Sequence, residues 1–340
     1  MSRRYVRPLV QVDAARPAEA LALAGGWGWF THVEILRRDA APEIVSSDAL
    51  SAAERDRLVA PRAPVCGLSL DRPRIMGIVN TTPDSFSDGG RHARAEDALS
   101  GGFAMLAAGA DLLDIGGEST RPGAETVAAE EEIRRTAPVI AALRGAGVAA
   151  PISIDTRKAA VAEAAVAAGA GLINDVSGFT HDAALAPLAA RRHLPVCVMH
   201  AQGDPATMQL DPRYDDVLLD VYDFLEGQIG ALEALGVPRD RILADPGIGF
   251  GKTQAHNLAL LARIGLFHSL GVPLLLGASR KRFIGTIGGA KGGAARAPGS
   301  IGVALAGIAQ GVQMLRVHDV AETAQAIALW RASVKGYADE

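Results

Sequence analysis

From residue 74 onward the chain repeats one alternation eight times: a short apolar run, a polar loop, then an Ala-rich stretch with helical spacing. The runs fall at 75–79, 111–115, 152–154, 172–173, 195–199, 242–244, 274–276 and 314–317. They lack polar alternation, as strands buried on both faces of a parallel sheet do. The helical stretches fall at about 96–109, 130–145, 157–168, 182–192, 215–235, 255–270, 298–311 and 320–334. Eight βα units in succession predict an α/β fold closed as a (β/α)8 TIM barrel. An open doubly wound sheet is the competitor. It should carry a Gly-rich fingerprint after its first strand, and the residues after Val79 read Asn-Thr-Thr-Pro instead.

Residues 1–70 stand outside this rhythm and are expected to form an N-terminal extension to a barrel spanning 71–340. Ser51-Ala-Ala-Glu54 has the capping-box pattern and predicts a short helix there. Pro61 and Pro64 mark a connection. No chemistry is readable in the extension. Covering the barrel's N-terminal face, mediating oligomerisation and having no surviving role all remain open.

Hydrophobic residues make up 49% of the chain but aromatics only 4%, so the core must come from Ala, Val, Leu and Ile. The net charge of −4 gives no basic stripe, which argues against a nucleic-acid partner. Cys66 and Cys197 lie far apart, so neither a disulfide framework nor a Cys-based zinc site is indicated, and a reducing cytoplasm is the expected setting. No apolar segment follows Arg3-Arg4, as a signal peptide would require. Residues 297–315 carry no charge, yet Pro298, Ser300, Gln310, Gln313 and four glycines interrupt them. They read as a buried helix running into a strand, not as a membrane span.

Two apparent nucleotide motifs fail on spacing. Asp245-Pro-Gly-Ile-Gly-Phe-Gly-Lys252-Thr253 ends like a phosphate-binding loop, but Pro246 stands where that loop needs its first glycine. Gly249-Phe-Gly251 begins like a dinucleotide fingerprint, but Gln254 occupies the third glycine position. HExxH and GxSxG motifs are also missing.

Barrel enzymes draw their chemistry from the C-terminal ends of the strands. Here the runs are followed in turn by Asn80, Gly116-Gly-Glu-Ser-Thr-Arg-Pro-Gly123, Asp155, Asn174-Asp175, His200, Asp245 with its glycine loop, Ser279-Arg-Lys-Arg282, and Arg316-Val-His318. One such residue is often a helix cap; eight in succession are hard to explain that way. Asp and Asn dominate, and they suit an amide-rich heterocycle. The cations after runs seven and eight suit an anion. Asn80 offers one neutral oxygen to Mg²⁺, which commonly takes its other ligands from phosphate and water. With no triad and no paired thiols, electrostatic positioning is expected rather than covalent catalysis.

These loops resemble the dihydropteroate synthase family of pterin-binding barrels. The resemblance rests on Gly77–Gly90 (Gly-Ile-Val-Asn-Thr-Thr-Pro-Asp-Ser-Phe-Ser-Asp-Gly-Gly), Asp114–Gly123, Ser153–Thr156, Ile173–Gly178, Met199-His200, Asp245–Thr253, Ser279–Lys281 and Arg316–Val320. It covers about 74–335. It implies a transferase that condenses 4-aminobenzoate with (7,8-dihydropterin-6-yl)methyl diphosphate in folate biosynthesis, and so a sulfonamide target. It implies that Asn80 binds Mg²⁺. Asp155, Asn174 and Asp245 would hold the pterin, with Lys281 at the rim, and Asp155, Asp245 and Lys281 would serve catalysis. Thr120, Arg121, Pro122, Phe250, Arg316 and His318 complete the implied substrate contacts: Thr120, Arg316 and His318 toward diphosphate or its loops, and Arg121, Pro122, Phe250 and Lys281 around 4-aminobenzoate. The loops after the first two strands would close over the site. A cytoplasmic homodimer built through outer helices is implied, with small-molecule substrates and no membrane or nucleic-acid partner.

Two other readings stay in view: a pterin-binding barrel methyltransferase, and a non-catalytic pterin-binding paralogue. The methyltransferase would not need the diphosphate cations Arg316 and His318 or the Ser279-Arg-Lys281 loop. His200 and Lys252 are equally compatible with structural roles, as are Asp84 and Asp88.

Overall fold

The computed structural model describes residues 3–81, 91–119, 124, 126–204 and 207–337, and the side chains of 91–95 are not among those described. The extension contains β1 (Tyr5–Pro8), β2 (Leu21–Ala22), β3 (Trp29–Phe30), β4 (His32–Arg37), β5 (Ala40–Ser46) and helix α1 (Ala52–Val59). β1, β4 and β5 pair as an antiparallel sheet in that order 1-4-5, and β2 pairs with β3. Ser51 starts α1 as expected: its hydroxyl accepts from Glu54 N, and the Glu54 side chain returns to Ser51 N. β2 and β3 have two residues each, too few for alternation to be read in the sequence.

The barrel strands are β6 (Arg74–Asn80), β7 (Leu112–Gly116), β8 (Ile152–Asp155), β9 (Leu172–Asp175), β10 (Val196–Met199), β11 (Ile242–Asp245), β12 (Leu275–Leu276) and β13 (Met314–Val317). All are parallel neighbours in the order 11-10-9-8-7-6-13-12. A bridge from Ala244 to Leu274, with Ala244 N donating to Pro273 O at 2.9 Å, closes the ring. The fold is the expected (β/α)8 barrel. Its helices are α2 (Arg91–Ala107), α3 (Ala129–Gly145), α4 (Ala159–Ala168), α5 (Leu185–Arg191), α6 (Val217–Ala234), α7 (Gln254–Ala262), α8 (Arg282–Gly288), α9 (Ala297–Ala309) and α10 (Val320–Lys335). The uncharged stretch is α9 running into β13, and among the described residues no helix is long and apolar enough to cross a membrane.

Two details depart from the sequence reading. The helix expected over 255–270 is an α-helix only to Ala262, and Ile264–Leu270 is a fully buried 3-10 turn. There the Gln310 side chain accepts from Gly265 N at 3.3 Å, a long-range contact that helical spacing cannot show. Helix α8 was not expected, because its two glycines and basic start hide any apolar periodicity.

Val65 and Leu70 pack with Met76, Leu112, Leu172, Cys197, Leu243, Leu275 and Met314, the interior of the barrel's N-terminal half. Val65 and Leu68 exchange backbone hydrogen bonds at 3.0 and 2.9 Å across a tight turn whose central residues, Cys66 and Gly67, both have positive φ. The end of the extension is therefore a plug. The rest has its own apolar cluster, including Val6, Phe30, Val33, Ile35 and Leu58. It docks on α6 and the 3-10 turn: Tyr5 meets Tyr222 edge-on at 5.4 Å, and Arg62 donates to His268 O at 3.0 Å.

Candidate active site

Parallel pairing sets Gly116, Asp155 and Asn174 side by side at the C-terminal ends of β7, β8 and β9. Asp245 ends β11, in register with Met199 of β10. Across this floor Arg316 of β13 donates from Nε to Asp114 Oδ2 at 2.5 Å and from Nη2 to Asp155 Oδ2 at 2.6 Å. Asn174 Nδ2 donates to the same Asp114 oxygen at 3.1 Å. Asp114 is fully buried, and its Oδ1 has no hydrogen-bond partner among the described residues. The floor thus keeps an unused acceptor.

Burial dominates the electrostatics. It pushes the Asp155 carboxyl up to about 7; Arg316 pulls the other way, and the neighbouring Asp114 adds to the rise. Burial also pushes Asp245 up to about 6, opposed by a hydrogen bond from Gly247 N at 2.7 Å and by Lys281. The floor holds several acids in a dry setting, with Arg316 as the cation fixed between two of them.

Above the floor opens a cavity of about 1440 Å³, whose walls include Asn80, Asp155, Phe250, Lys281, Arg316 and His318. Asn174 and Asp245 lie beneath it, each 4% exposed. Lys281 Nζ sits 3.9 Å from the centre of the Phe250 ring, a cation–π contact. Ser279 Oγ lies 3.0 Å from His318 Nδ1, and Arg280 pairs with Asp319, so the loops after β12 and β13 are tied together.

The glycine loop after β11 hangs on Lys252. Its Nζ, almost fully buried, donates to the carbonyls of Gly247 (3.0 Å), Phe250 (3.0 Å) and His200 (3.2 Å), and lies 2.8 Å from His200 Nδ1. Burial drives Lys252 down to about 7 and His200 down to about 2, so the His200 ring is neutral. Gly247 is obligatory: its φ is +68°, and a Cβ there would lie 1.9 Å from His200 O. His200 and Lys252 both build this loop.

Of the residues singled out by sequence, the structure gathers Asn80, Asp155, Asn174, Asp245, Phe250, Lys281, Arg316 and His318 at one end of the barrel. Thr120, Arg121 and Pro122 lie outside the described residues, as do Asp84, Asp88 and most of the two loops expected to close over the site. Two residues were missed. Asp114 had a signal, a charge inside an otherwise apolar strand. Tyr214, whose hydroxyl donates to Gly251 O at 2.7 Å, had none, because that contact joins distant loops. Among the described residues no group of three or more His, Cys, Asp or Glu side chains could hold a metal; Asn80 stands on the cavity wall as a single oxygen donor.

The profile of the pterin binding enzyme family matches residues 76–318. The chain is 47% identical over 270 residues to the dihydropteroate synthase of Neisseria meningitidis serogroup B, covering 78% of this chain and 94% of that one. It is 45% identical over 267 residues to that of Escherichia coli K12, with the same coverage. Among solved structures it resembles Xanthomonas albilineans dihydropteroate synthase with 4-aminobenzoic acid, at TM-score 0.75 and 49% identity, covering 80% of this chain and 98% of that one. A Yersinia pestis dihydropteroate synthase in a sulfonamide drug complex matches at TM-score 0.75 and 44% identity, with the same coverage.

Proposed function

This chain belongs to the pterin-binding enzyme family, among its dihydropteroate synthases, and we propose that it joins 4-aminobenzoate to (7,8-dihydropterin-6-yl)methyl diphosphate, releasing 7,8-dihydropteroate and diphosphate in folate biosynthesis. One observation carries the reading: a single cavity combines a buried Asp/Asn floor with a cationic rim. The floor of Asp114, Asp155, Asn174 and Asp245 offers acceptors and an amide to a pterin ring. The rim of Lys281, Arg316 and His318 suits a departing anion.

In the reaction the arylamine nitrogen forms a bond to the exocyclic methylene carbon. The carbon–oxygen bond to diphosphate breaks, its electron pair leaves with diphosphate, and the amine loses a proton. Asp155 and Asp245, when ionised, stabilise positive charge on the pterin methylene. Arg316 has Nε and Nη2 engaged by the floor, leaving Nη1 to meet the anion. Phe250 and Lys281 form the wall for 4-aminobenzoate, with Arg121 and Pro122 assigned there and Thr120 and His318 to the diphosphate side. No enzyme nucleophile is required.

Asn80 fits Mg²⁺ as a lone protein oxygen, since this cation readily takes water and phosphate for its remaining ligands. When bound, Mg²⁺ would neutralise the leaving diphosphate. Residues 71–340 form the catalytic unit in this reading, with 1–70 as an extension whose last residues plug it. We place the enzyme in the cytoplasm as a homodimer, with the small residues of α9 permitting close packing; light scattering on the purified protein tests the dimer.

The deciding experiment is dihydropteroate formation from the two substrates, with and without Mg²⁺. Turnover that requires the metal is expected. A folded protein that binds pterin without turnover would instead favour a non-catalytic paralogue. Methyl transfer from methyltetrahydrofolate would favour the methyltransferase reading.

A further inference from the structure

We propose that Arg38, in the N-terminal extension, is a positioning residue for the 4-aminobenzoate side of the active site, acting through Asp220 and Tyr214 on the carbonyl of Gly251. The inference rests on the reading of that site given above.

Arg38 Nη1 donates to Asp220 Oδ1 at 2.7 Å, and its Nη2 donates to Asp223 Oδ2 at 2.7 Å. The other oxygen of Asp220 accepts from the backbone amides of Asp215 (3.0 Å) and Asp216 (3.2 Å). One carboxylate therefore joins the extension to the chain entering α6. Asp216 in turn caps α6, accepting from Leu218 N and Leu219 N at 3.0 and 3.1 Å. Asp215, Asp216, Asp220 and Asp223 crowd like charge onto this corner, and Arg38 contacts two of them. Without it, Asp220 is repelled by its neighbours and holds the 215–216 amides less well.

The residue before Asp215 is Tyr214. Its hydroxyl donates to Gly251 O at 2.7 Å, and its ring meets His256 edge-on at 5.0 Å and lies 5.9 Å from His200. Gly251 sits between Phe250, which carries Lys281 on its ring, and the Lys252 anchor. Its φ is +60°, and a Cβ there would lie 2.4 Å from Gln202 O, so this backbone has little freedom of its own. Tyr214 thus sets the outer edge of the loop that presents Phe250. The family profile begins at residue 76, so Arg38 lies outside the region that defines the family.

Partly exposed ion pairs are weak, so the expected effect is small, about three- to fivefold. Steady-state kinetics of wild type, Arg38→Ala, Arg38→Lys, Tyr214→Phe and the Arg38→Ala/Tyr214→Phe double variant test the relay. The KM for 4-aminobenzoate should rise about three- to fivefold in Arg38→Ala and in Tyr214→Phe, with the KM for the pterin substrate unchanged. The double variant should be no worse than either single one, since both break the same chain of contacts. Arg38→Lys should recover part of the loss. Amide hydrogen exchange of the unliganded protein supplies a readout independent of the reaction: in Arg38→Ala, exchange should quicken at 214–216 and 249–252. Faster exchange confined to the extension, unchanged KM values, or strictly additive variants would overturn the proposal. A wild type without turnover would count against the reading of the site, and the exchange result would then decide the relay alone.

Discussion

The Arg316 guanidinium lies 2.6 Å from Asp155 Oδ2 and 2.5 Å from Asp114 Oδ2, bridging two strands that are not its neighbours. It balances two carboxylates in a floor where neither is more than 8% exposed. Arg316→Ala removes that balance and should destabilise the protein by about 3–5 kcal/mol, the usual result of leaving a buried charge unpaired. The loss should be greatest at alkaline pH and shrink in acid, where the carboxyls can protonate. Urea unfolding at pH 8 and pH 5 checks this, and an equal loss at both would contradict it.

Asp245 offers a separation of stability from function. Its folded pKa is raised, to about 6, above the value of about 3.9 for an unfolded Asp. The native state therefore holds this proton more tightly. The stability it contributes is complete below about pH 4 and is lost as the pH rises through about 6. Asp245→Asn should then gain on the order of 2–3 kcal/mol relative to wild type between pH 4 and pH 8. The same change should reduce kcat/KM by about 2–4 kcal/mol in transition-state terms. Near-normal kcat/KM would remove Asp245 from its assigned role.

Lys252→Met should leave the carbonyls of Gly247 and Phe250 without their buried donor. At about 1–3 kcal/mol for each of the two unsatisfied groups, a loss of about 2–6 kcal/mol is expected. The KM for 4-aminobenzoate should rise alongside it, because Phe250 loses its anchor. Calorimetry together with kinetics separates the two effects.

Leu70→Ala tests the plug. Leu70 is buried against the barrel interior and does not line the cavity. The expected cost is about 2–4 kcal/mol of stability, with kinetic constants unchanged at temperatures where the variant is folded.

Sulfonamides should inhibit competitively against 4-aminobenzoate. The resemblance to the Yersinia pestis synthase in its sulfonamide complex motivates this expectation. Inhibition-pattern analysis checks it, and an uncompetitive pattern would rule out a shared pocket.

Sequence alone was enough for the barrel and for most of the ring around its mouth. Both are periodic properties: eight apolar runs buried on both faces, each ending in a polar residue that the topology carries to one end. Asn80, Asp155, Asn174, Asp245, Lys281 and Arg316 could be picked out because strand ends are local features of a chain. Contacts made by distant residues could not. Only the tertiary structure decided that Arg316 faces Asp114 and Asp155, that Lys252 anchors the glycine loop, and that Val65 and Leu70 fill the barrel's lower mouth. It also placed Arg38 on Asp220. Each of these depends on which strands and loops are brought together, and neither periodicity nor spacing along the chain encodes that.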